Sequence, residues 1–406
     1  MKKIILLISI AFYVCNALAY DFYVGGIYYR YGTNNVSVTY GENKYTGNVV
    51  IPESITVNSK NLPVVGILSE AFMGCSDLKI VYIPNTVTDI GYKAFYNCSK
   101  LTSVIIPSGM KTIGSSAFEG CYNLSSINLP EGLKQVSVNA FKNCRSLTSV
   151  TIPYSSISKE TFSGCTGLKS VTFSEKVITI GEKAFSGCTG LTVLVIPETV
   201  AEIELYAFEN CVNIKTLVLK DSSDGLKYNT SHISYSPFRD MKPTNIYLGR
   251  VSGEKGSNYY NANYCIDFSK LKVLTIGSYL EYIEKNKRGL DNSTWYYQFS
   301  TANPEVIYAK SMPSFSFNNT TKIYSTLYVP TGKKNLFLAN DYYKGFFNIT
   351  EMDIADMWNG DVDIPDYPNP NPDPNIDPNY LKCDVNGDGE VNIADINRII
   401  DAILSH

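Results

Sequence analysis

Residues 180–203 read IGEKAFSGCTGLTVLVIPETVAEI, and this pattern recurs along much of the chain. Its core element, Ala-Phe-x-x-Cys with one Thr-Phe variant, returns every 23 residues apart from one step of 21. The copies are AFMGC (71–75), AFYNC (94–98), AFEGC (117–121), AFKNC (140–144), TFSGC (161–165), AFSGC (184–188) and AFENC (207–211). A fixed period of this length is the signature of stacked repeats.

A 23-residue unit is too short to bury an apolar face of its own, so the units must stack and share one elongated core. The Ala, Phe, Cys and following Leu positions are then the inward rows. After each Leu comes an aliphatic alternation, usually closed by proline, which predicts one short parallel β-strand per coil. The predicted fold class is a repeat solenoid from about residue 49 to residue 350, in which an alanine at Phe118 should be strongly destabilising.

These units resemble the BspA-type bacterial leucine-rich repeats, and the resemblance covers about Val49 to Leu219. Residues 45–52 (YTGNVVIP) are similar to the N-terminal segment of such proteins, and residues 325–353 to their closing segment. The resemblance implies a leucine-rich-repeat solenoid and a role in adhesion to host extracellular proteins and to other cells.

The composition predicts six segments along the 406 residues. They are a signal peptide (1–19), N-terminal cap strands (20–66), regular repeats (67–220), degenerate repeats with a C-terminal cap (221–358), a Pro/Asn/Asp linker (359–380) and a calcium-binding repeat (381–406). The leader has a charged start, an apolar stretch and a small-x-small site at Ala17-Leu18-Ala19, which predicts cleavage and export to the cell surface or the medium. No later segment has the roughly 18 apolar residues of a membrane span.

The C-terminal segment carries the pattern of an EF-hand-like calcium loop. The predicted ligands are Asp384, Asn386, Asp388, Asn392 and Asp395 through side-chain oxygens and Glu390 through its carbonyl. Aspartate at position 12 and the INRIIDAIL sequence that follows resemble a dockerin repeat, of which dockerins ordinarily carry two. The apolar stripe of a helix at Ile396–Leu404 needs a packing partner, which would be a cohesin-like domain, a second copy or the protein's own cap.

Seven cysteines recur once per coil, from Cys75 to Cys211. Stacking at the strand spacing of about 4.8 Å separates their Cβ atoms by more than the roughly 3.8 Å that a disulfide prefers. We therefore expect a ladder of buried, reduced thiols. Cys265 and Cys383 lie outside this ladder, and the sequence leaves their pairing open.

The outward positions of the predicted strands form the candidate binding face. Two rows are predicted, one running from Tyr82 to Val218 and the other from Lys79 to Lys215. The residues selected from these rows are Lys79, Tyr82, Ile105, Asn128, Thr151, Lys169, Thr172 and Lys215. Hydroxyl-bearing and β-branched side chains dominate both rows, which is also the composition of an ordinary strand surface.

The sequence offers little for catalysis or nucleic-acid binding. Past the leader it has two histidines, His232 and His406, and neither belongs to a catalytic motif. The net charge of −3 gives no nucleic-acid footprint. Three functions stand. The sequence favours an exported, non-catalytic, adhesin-like protein that binds a protein or glycan through its face. The alternatives are a scaffold subunit recruited to a polysaccharide-degrading assembly by its dockerin-like tail and, least favoured, an enzyme or enzyme accessory.

Overall fold

A computed structural model provides the coordinates. It describes residues 20–222, 226–228, 236–250, 252–254, 266–277, 297–299, 304–312, 315–317, 322, 324–341 and 343–357. The predicted signal peptide, the linker, the calcium loop with its helix, His232, Cys265 and Cys383 lie outside these residues. The predictions made for them therefore remain predictions.

The elements are short strands in chain order. In the first half they are β1 (Phe22–Val24), β2 (Ile27–Tyr31), β3 (Val36–Thr39), β4 (Gly47–Val50), β5 (Ser54–Val57), β6 (Lys60–Ile67), β7 (Leu78–Tyr82), β8 (Asp89–Ile90), β9 (Ser103–Ile105), β10 (Thr112–Ile113), β11 (Gln135–Val136), β12 (Ser149–Ile152), β13 (Ser156–Ile157), β14 (Ser170–Phe173) and β15 (Thr179–Ile180). There follow β16 (Val193–Ile196), β17 (Glu202–Ile203), β18 (Thr216–Leu219), β19 (Leu226–Tyr228), β20 (Asn245–Leu248), β21 (Ser252–Glu254), β22 (Val273–Ile276), β23 (Tyr297–Phe299), β24 (Val306–Ala309), β25 (Phe315–Phe317), β26 (Thr326–Pro330), helix α1 (Lys334–Ala339) and β27 (Asn348–Met352).

One strand from most coils lies on the same side of the solenoid, and we call this set of parallel strands the front sheet. It is hydrogen-bonded in three sections, which are β4-β7-β9, β12-β14 and β16-β18-β20-β22-β24-β26-β27. The coil between β9 and β12 contributes only an isolated parallel bridge, Ser103 to Ser126. The front sheet continues past the regular repeats to β27, which confirms that the degenerate segment keeps the same architecture. The described part of the chain is thus a solenoid of many short parallel strands.

The prediction of one strand per coil was incomplete. A second parallel ladder, the back ladder, runs through the two- and three-residue strands β8, β10, β11, β13, β15, β17, β19 and β21. It is interrupted between β11 and β13, where the single 21-residue step removes two residues between the front and back strands. There the Ser158 hydroxyl donates to the Val136 carbonyl at 2.6 Å, so a side chain bridges the interruption.

The Ala-Phe turns supply a third set of contacts between coils. The Phe95 N–H donates to the Ala117 carbonyl at 2.7 Å, and the Phe118 N–H donates to the Ala140 carbonyl at the same distance. These turns therefore join neighbouring coils in addition to the front sheet and the back ladder, including at the steps where one of those is interrupted. This arrangement satisfies main-chain groups that burial would otherwise leave unpaired.

The inward rows form the core as the repeat predicts. The phenylalanines at 72, 95, 118, 141, 162, 185 and 208 are fully buried. Their rings stack in order, with centroids 4.8–5.3 Å apart and planes within 9° of parallel. At the N-terminal end Tyr45 continues the stack, its ring 4.5 Å from that of Phe72. The Tyr45 hydroxyl donates to the Thr39 carbonyl at 2.6 Å and accepts the Tyr28 N–H at 3.0 Å, so it fastens the N-terminal cap to the core.

The seven repeat cysteines are buried and unpaired, which confirms the predicted thiol ladder. From Cys98 to Cys211 each thiol lies 3.0–3.3 Å from the carbonyl of the phenylalanine in the preceding coil and can donate to it. Burial raises the pKa of these thiols, to about 12 for Cys165 and Cys211. The side chains are therefore neutral small hydrophobes with one satisfied donor each.

Candidate functional site

The exposed side of the front sheet is the candidate binding surface, and we call it the front face. The strand register places Ile105 beside Tyr82, and Thr172 beside Thr151. Neighbouring coils are about 4.8 Å apart, so each row is a closely spaced line of side chains. Ile105, Asn128, Thr151 and Thr172 are exposed, and Tyr82 is half-buried.

A second outward row was missed by the sequence reading. It consists of Ile80, Ser103, Ser126, Ser149 and Ser170, two residues before the members of the first row. All are exposed or half-buried. The sequence could have predicted this row, because side chains two residues apart on a strand point to the same face. The front face from β9 to β14 therefore carries serine hydroxyls in one row and threonine, asparagine or isoleucine in the next.

The predicted row that contains Lys79, Lys169 and Lys215 lies one residue before the row of Ile80 and Ser170. It is therefore at the start of each front strand. Here the main chain forms its own ladder: the Thr102 N–H donates to the Lys79 carbonyl at 2.8 Å. The Thr102 hydroxyl donates to the same carbonyl at 3.1 Å. The hydroxyls of this row therefore serve contacts between coils, while its three lysine side chains are exposed beside the front face.

The front face changes character after β16. Val218 was predicted as an outward, exposed member of the first row, but only 2% of it is exposed. The next members of that row, Tyr247 and Thr275, are also buried. The Tyr247 hydroxyl donates to Asp221 Oδ2 at 2.8 Å, and burial raises the pKa of the Asp221 carboxyl. The accessible row is therefore interrupted after the half-buried Val195. It is accessible again at the half-buried Tyr308 and Tyr328 and at the exposed Thr350.

The structure describes only one of the two parts of the predicted site. The face residues Lys79, Tyr82, Ile105, Asn128, Thr151, Lys169, Thr172 and Lys215 all lie on the coils from β7 to β18. The six calcium-loop residues lie outside the described part of the chain. Within the described ranges no three His, Cys, Asp or Glu side chains converge as a metal site would require.

A ladder of short parallel strands on a 23-residue repeat, with one exposed sheet face, defines the class of leucine-rich-repeat solenoids. More closely, residues 48–156 and 155–286 match the BspA type leucine rich repeat region in six copies, and the chain belongs to that family.

A solved structure agrees on the fold. A leucine-rich repeat protein from Bacteroides ovatus is 24% identical, with a TM-score of 0.53, over 82% of this chain and 100% of its own. A leucine rich cell surface protein from Faecalibacterium prausnitzii is 22% identical, with a TM-score of 0.47, over 81% of this chain and 94% of its own. Among curated proteins none matches the chain. In the described residues, no helix has the length and hydropathy needed to cross a bilayer.

Proposed function

We propose that this protein is an exported, non-catalytic, adhesin-like binding protein that contacts host proteins or glycans through the front face. The observation that carries the proposal is the exposed double row of the front face between β9 and β14. There Ser149, Thr151 and Thr172 lie on the paired strands β12 and β14, Ser126 is bridged to Ser103, and the Ala-Phe turns hydrogen-bond the coils to one another. A fixed backbone with short side chains loses little conformational entropy when a ligand binds.

The chemistry of these rows suits a broad polar contact. Serine and threonine hydroxyls both donate and accept hydrogen bonds, so the rows can pair with the peptide groups of a protein or with the hydroxyls of a glycan. Ile105 and Tyr82 add an apolar end to the surface. The predicted leader and the membership of a repeat family with a cell-surface relative support export to the surface or the medium.

A matched pair of variants tests the front face. Thr151→Lys with Thr172→Lys places two bulky charges in the middle of the front face, whereas Ser156→Lys places one on the exposed back ladder. Binding of the full chain to a panel of extracellular-matrix proteins and to a glycan array should fall at least about tenfold in the double variant. It should be unchanged in the control. Equal binding by the native chain, the double variant and the control would show that the front face does not bind the ligand.

The C-terminal motif supports a second function. We propose that residues 384–395 bind one Ca²⁺ and that the following helix docks on a partner, so that the chain is a scaffold subunit of a larger assembly. The carboxylates Asp384 and Asp388, with Asn386, Asn392, Asp395 and the Glu390 carbonyl, make the oxygen-rich set that calcium prefers. Pull-downs with and without residues 381–406 separate the two functions. Loss of every partner on deletion favours the scaffold, and unchanged partners favour the front face.

A further inference from the structure

The first strand of the front sheet, β4, has one unpaired edge. In the order β4-β7-β9 no described strand lies on the outer side of β4. The Gly47 N–H donates to the Asp77 carbonyl at 2.9 Å and the Ile51 N–H to the Tyr82 carbonyl at 3.0 Å, so the odd-numbered residues bond toward β7. Because alternate residues of a strand direct their main-chain groups to opposite sides, Asn48 and Val50 present theirs to the outer edge.

A cleft of about 310 Å³ lies along this edge. One wall is β4 itself, through Asn48 and Val50, and the other is the β1–β2 hairpin, through Tyr23, Gly25 and Tyr28. Tyr23 is 57% exposed, and its ring centroid lies 4.6 Å from that of Tyr28. The cleft therefore combines the outward main-chain groups of Asn48 and Val50 with one exposed aromatic ring, that of Tyr23.

The N-terminal cap explains why the edge is left open. The hairpin continues into β3, and β3 pairs with β6, which leads into the back ladder rather than the front sheet. The cap thus completes one ladder and leaves the other without a covering strand. An uncovered strand edge is a template for pairing with another extended chain.

We infer that this cleft binds an extended peptide segment of a protein partner, which adds as a strand to the outer edge of β4. A peptide backbone repeats its N–H and C=O groups at the strand spacing, which matches Asn48 and Val50; the hydroxyls of a glycan do not follow that period. A side chain of the peptide would meet the exposed Tyr23 ring, which packs on the buried ring of Tyr28, so an aromatic or aliphatic residue fits there.

The charged residues that line the cleft restrict the sequence of the peptide further. Lys44 is the charged residue among those that line the cleft, and its ammonium is held 2.5 Å from the Met73 carbonyl. No carboxylate lines the cleft. The favoured segment is therefore an alternating apolar sequence with an acidic residue near Lys44. This site is distinct from the exposed double row between β9 and β14, so it does not depend on the function proposed for those rows.

A proline at the edge is the direct test. Val50→Pro removes the N–H of Val50, which the strand alternation directs to the outer edge, and so blocks strand addition. The full chain from Tyr20 onward is used to select binders from a displayed library of random twelve-residue peptides. The selected peptides should show alternating apolar residues and bind Val50→Pro at least about tenfold more weakly. Tyr23→Ala should also weaken them, whereas Thr172→Lys, within the front face, should not.

Thermal unfolding of each variant shows whether it is folded. If Val50→Pro does not fold, the binding of the selected peptides to Tyr23→Ala decides the test. Selected peptides that bind both variants as tightly as the native chain would overturn the inference, and so would a selection that yields no binder. Tyr23-dependent binding on an oligosaccharide array without any peptide binder would assign the cleft to a glycan instead. Self-association that Val50→Pro abolishes would assign it to a second copy.

Discussion

The ring centroids of Phe118 and Phe141 lie 5.2 Å apart with planes only 3° from parallel, although the two residues are 23 positions apart in sequence. This pair is one step of a stack that runs through every regular coil. Each ring contacts the coil before it and the coil after it, so the stack couples the stability of neighbouring repeats.

Truncation of one ring should therefore be costly. Phe118→Ala leaves a cavity between two rings and is expected to lower the free energy of unfolding by about 3–5 kcal/mol. Urea unfolding followed by circular dichroism measures it. Ile105→Ala, which truncates a 43% exposed side chain on the front face, is the matched control and should cost less than about 1 kcal/mol. Similar losses for the two variants would contradict the stacked core.

The Tyr45 hydroxyl should stabilise the N-terminal cap. Tyr45→Phe keeps the ring against Phe72 but removes the contacts with the Tyr28 N–H and the Thr39 carbonyl. Since both main-chain groups are buried, the expected cost is about 1–3 kcal/mol, with faster amide exchange in β2 and β3. Tyr23→Phe, at an exposed ring, should change neither quantity. If the amides of β2 and β3 exchange in both variants at the rate of the native chain, the Tyr45 hydroxyl does not stabilise the N-terminal cap.

The buried thiols predict a pH dependence on the alkaline side. Burial raises the pKa of Cys165 from 9.0 to about 12. Between these values the unfolded chain has lost the proton and the folded chain retains it, so stability falls as pH rises from about 9 to about 12. Below pH 9 this group contributes no pH dependence.

Cys165→Ala should reduce that alkaline slope by up to about 1.4 kcal/mol per pH unit, the value for one proton. Thr166→Ala, at an exposed neighbour, should leave the slope unchanged. Native alkylation at pH 8 should label none of the seven repeat cysteines, and denaturant should expose all of them. Labelling of Cys165 without denaturant, or an identical slope in the alanine variant, would contradict the account.

Calcium should bind the C-terminal loop weakly. A single repeat without a second to pack against predicts a dissociation constant of roughly 10⁻⁴–10⁻³ M, with helix formation at Ile396–Leu404 on binding. Calorimetry and circular dichroism of the full chain and of the 378–406 peptide measure both. Asp384→Ala with Asp388→Ala should abolish the heat. Binding that survives the double substitution, or none at millimolar calcium, would leave the segment an acidic turn.

The sequence predicted the features that every coil repeats. Phe118, Cys121 and Leu124 are buried because the same inward set recurs in each unit, and the period alone identifies it. The back ladder was missed because strands of two residues, such as Thr112–Ile113, are too short to show alternation. The Tyr45 cap was missed because it occurs once and depends on contacts with distant residues.

The candidate site was predictable only in part. Thr151 and Thr172 follow from strand alternation within the regular repeats, and the serine row could have been read in the same way. The burial of Val218 could not be predicted in this way. It depends on the coils beyond the regular repeat, where the sequence no longer keeps its period. The cleft beside β4 depends on which ladder the N-terminal hairpin joins, and the repeat does not encode that choice.

Hydroxyl-radical footprinting on a bound complex shows whether the front face is the surface that the ligand covers. The probes are Ile105 and Tyr82 on the front face, with Ile178 and Val212, exposed elsewhere on the solenoid, as internal references. With a protein or glycan ligand from the binding panel at saturation, oxidation of Ile105 and Tyr82 should fall severalfold while that of Ile178 and Val212 stays constant. Protection of Ile178 or Val212, with Ile105 and Tyr82 oxidised as in the free protein, would contradict a front-face binding site.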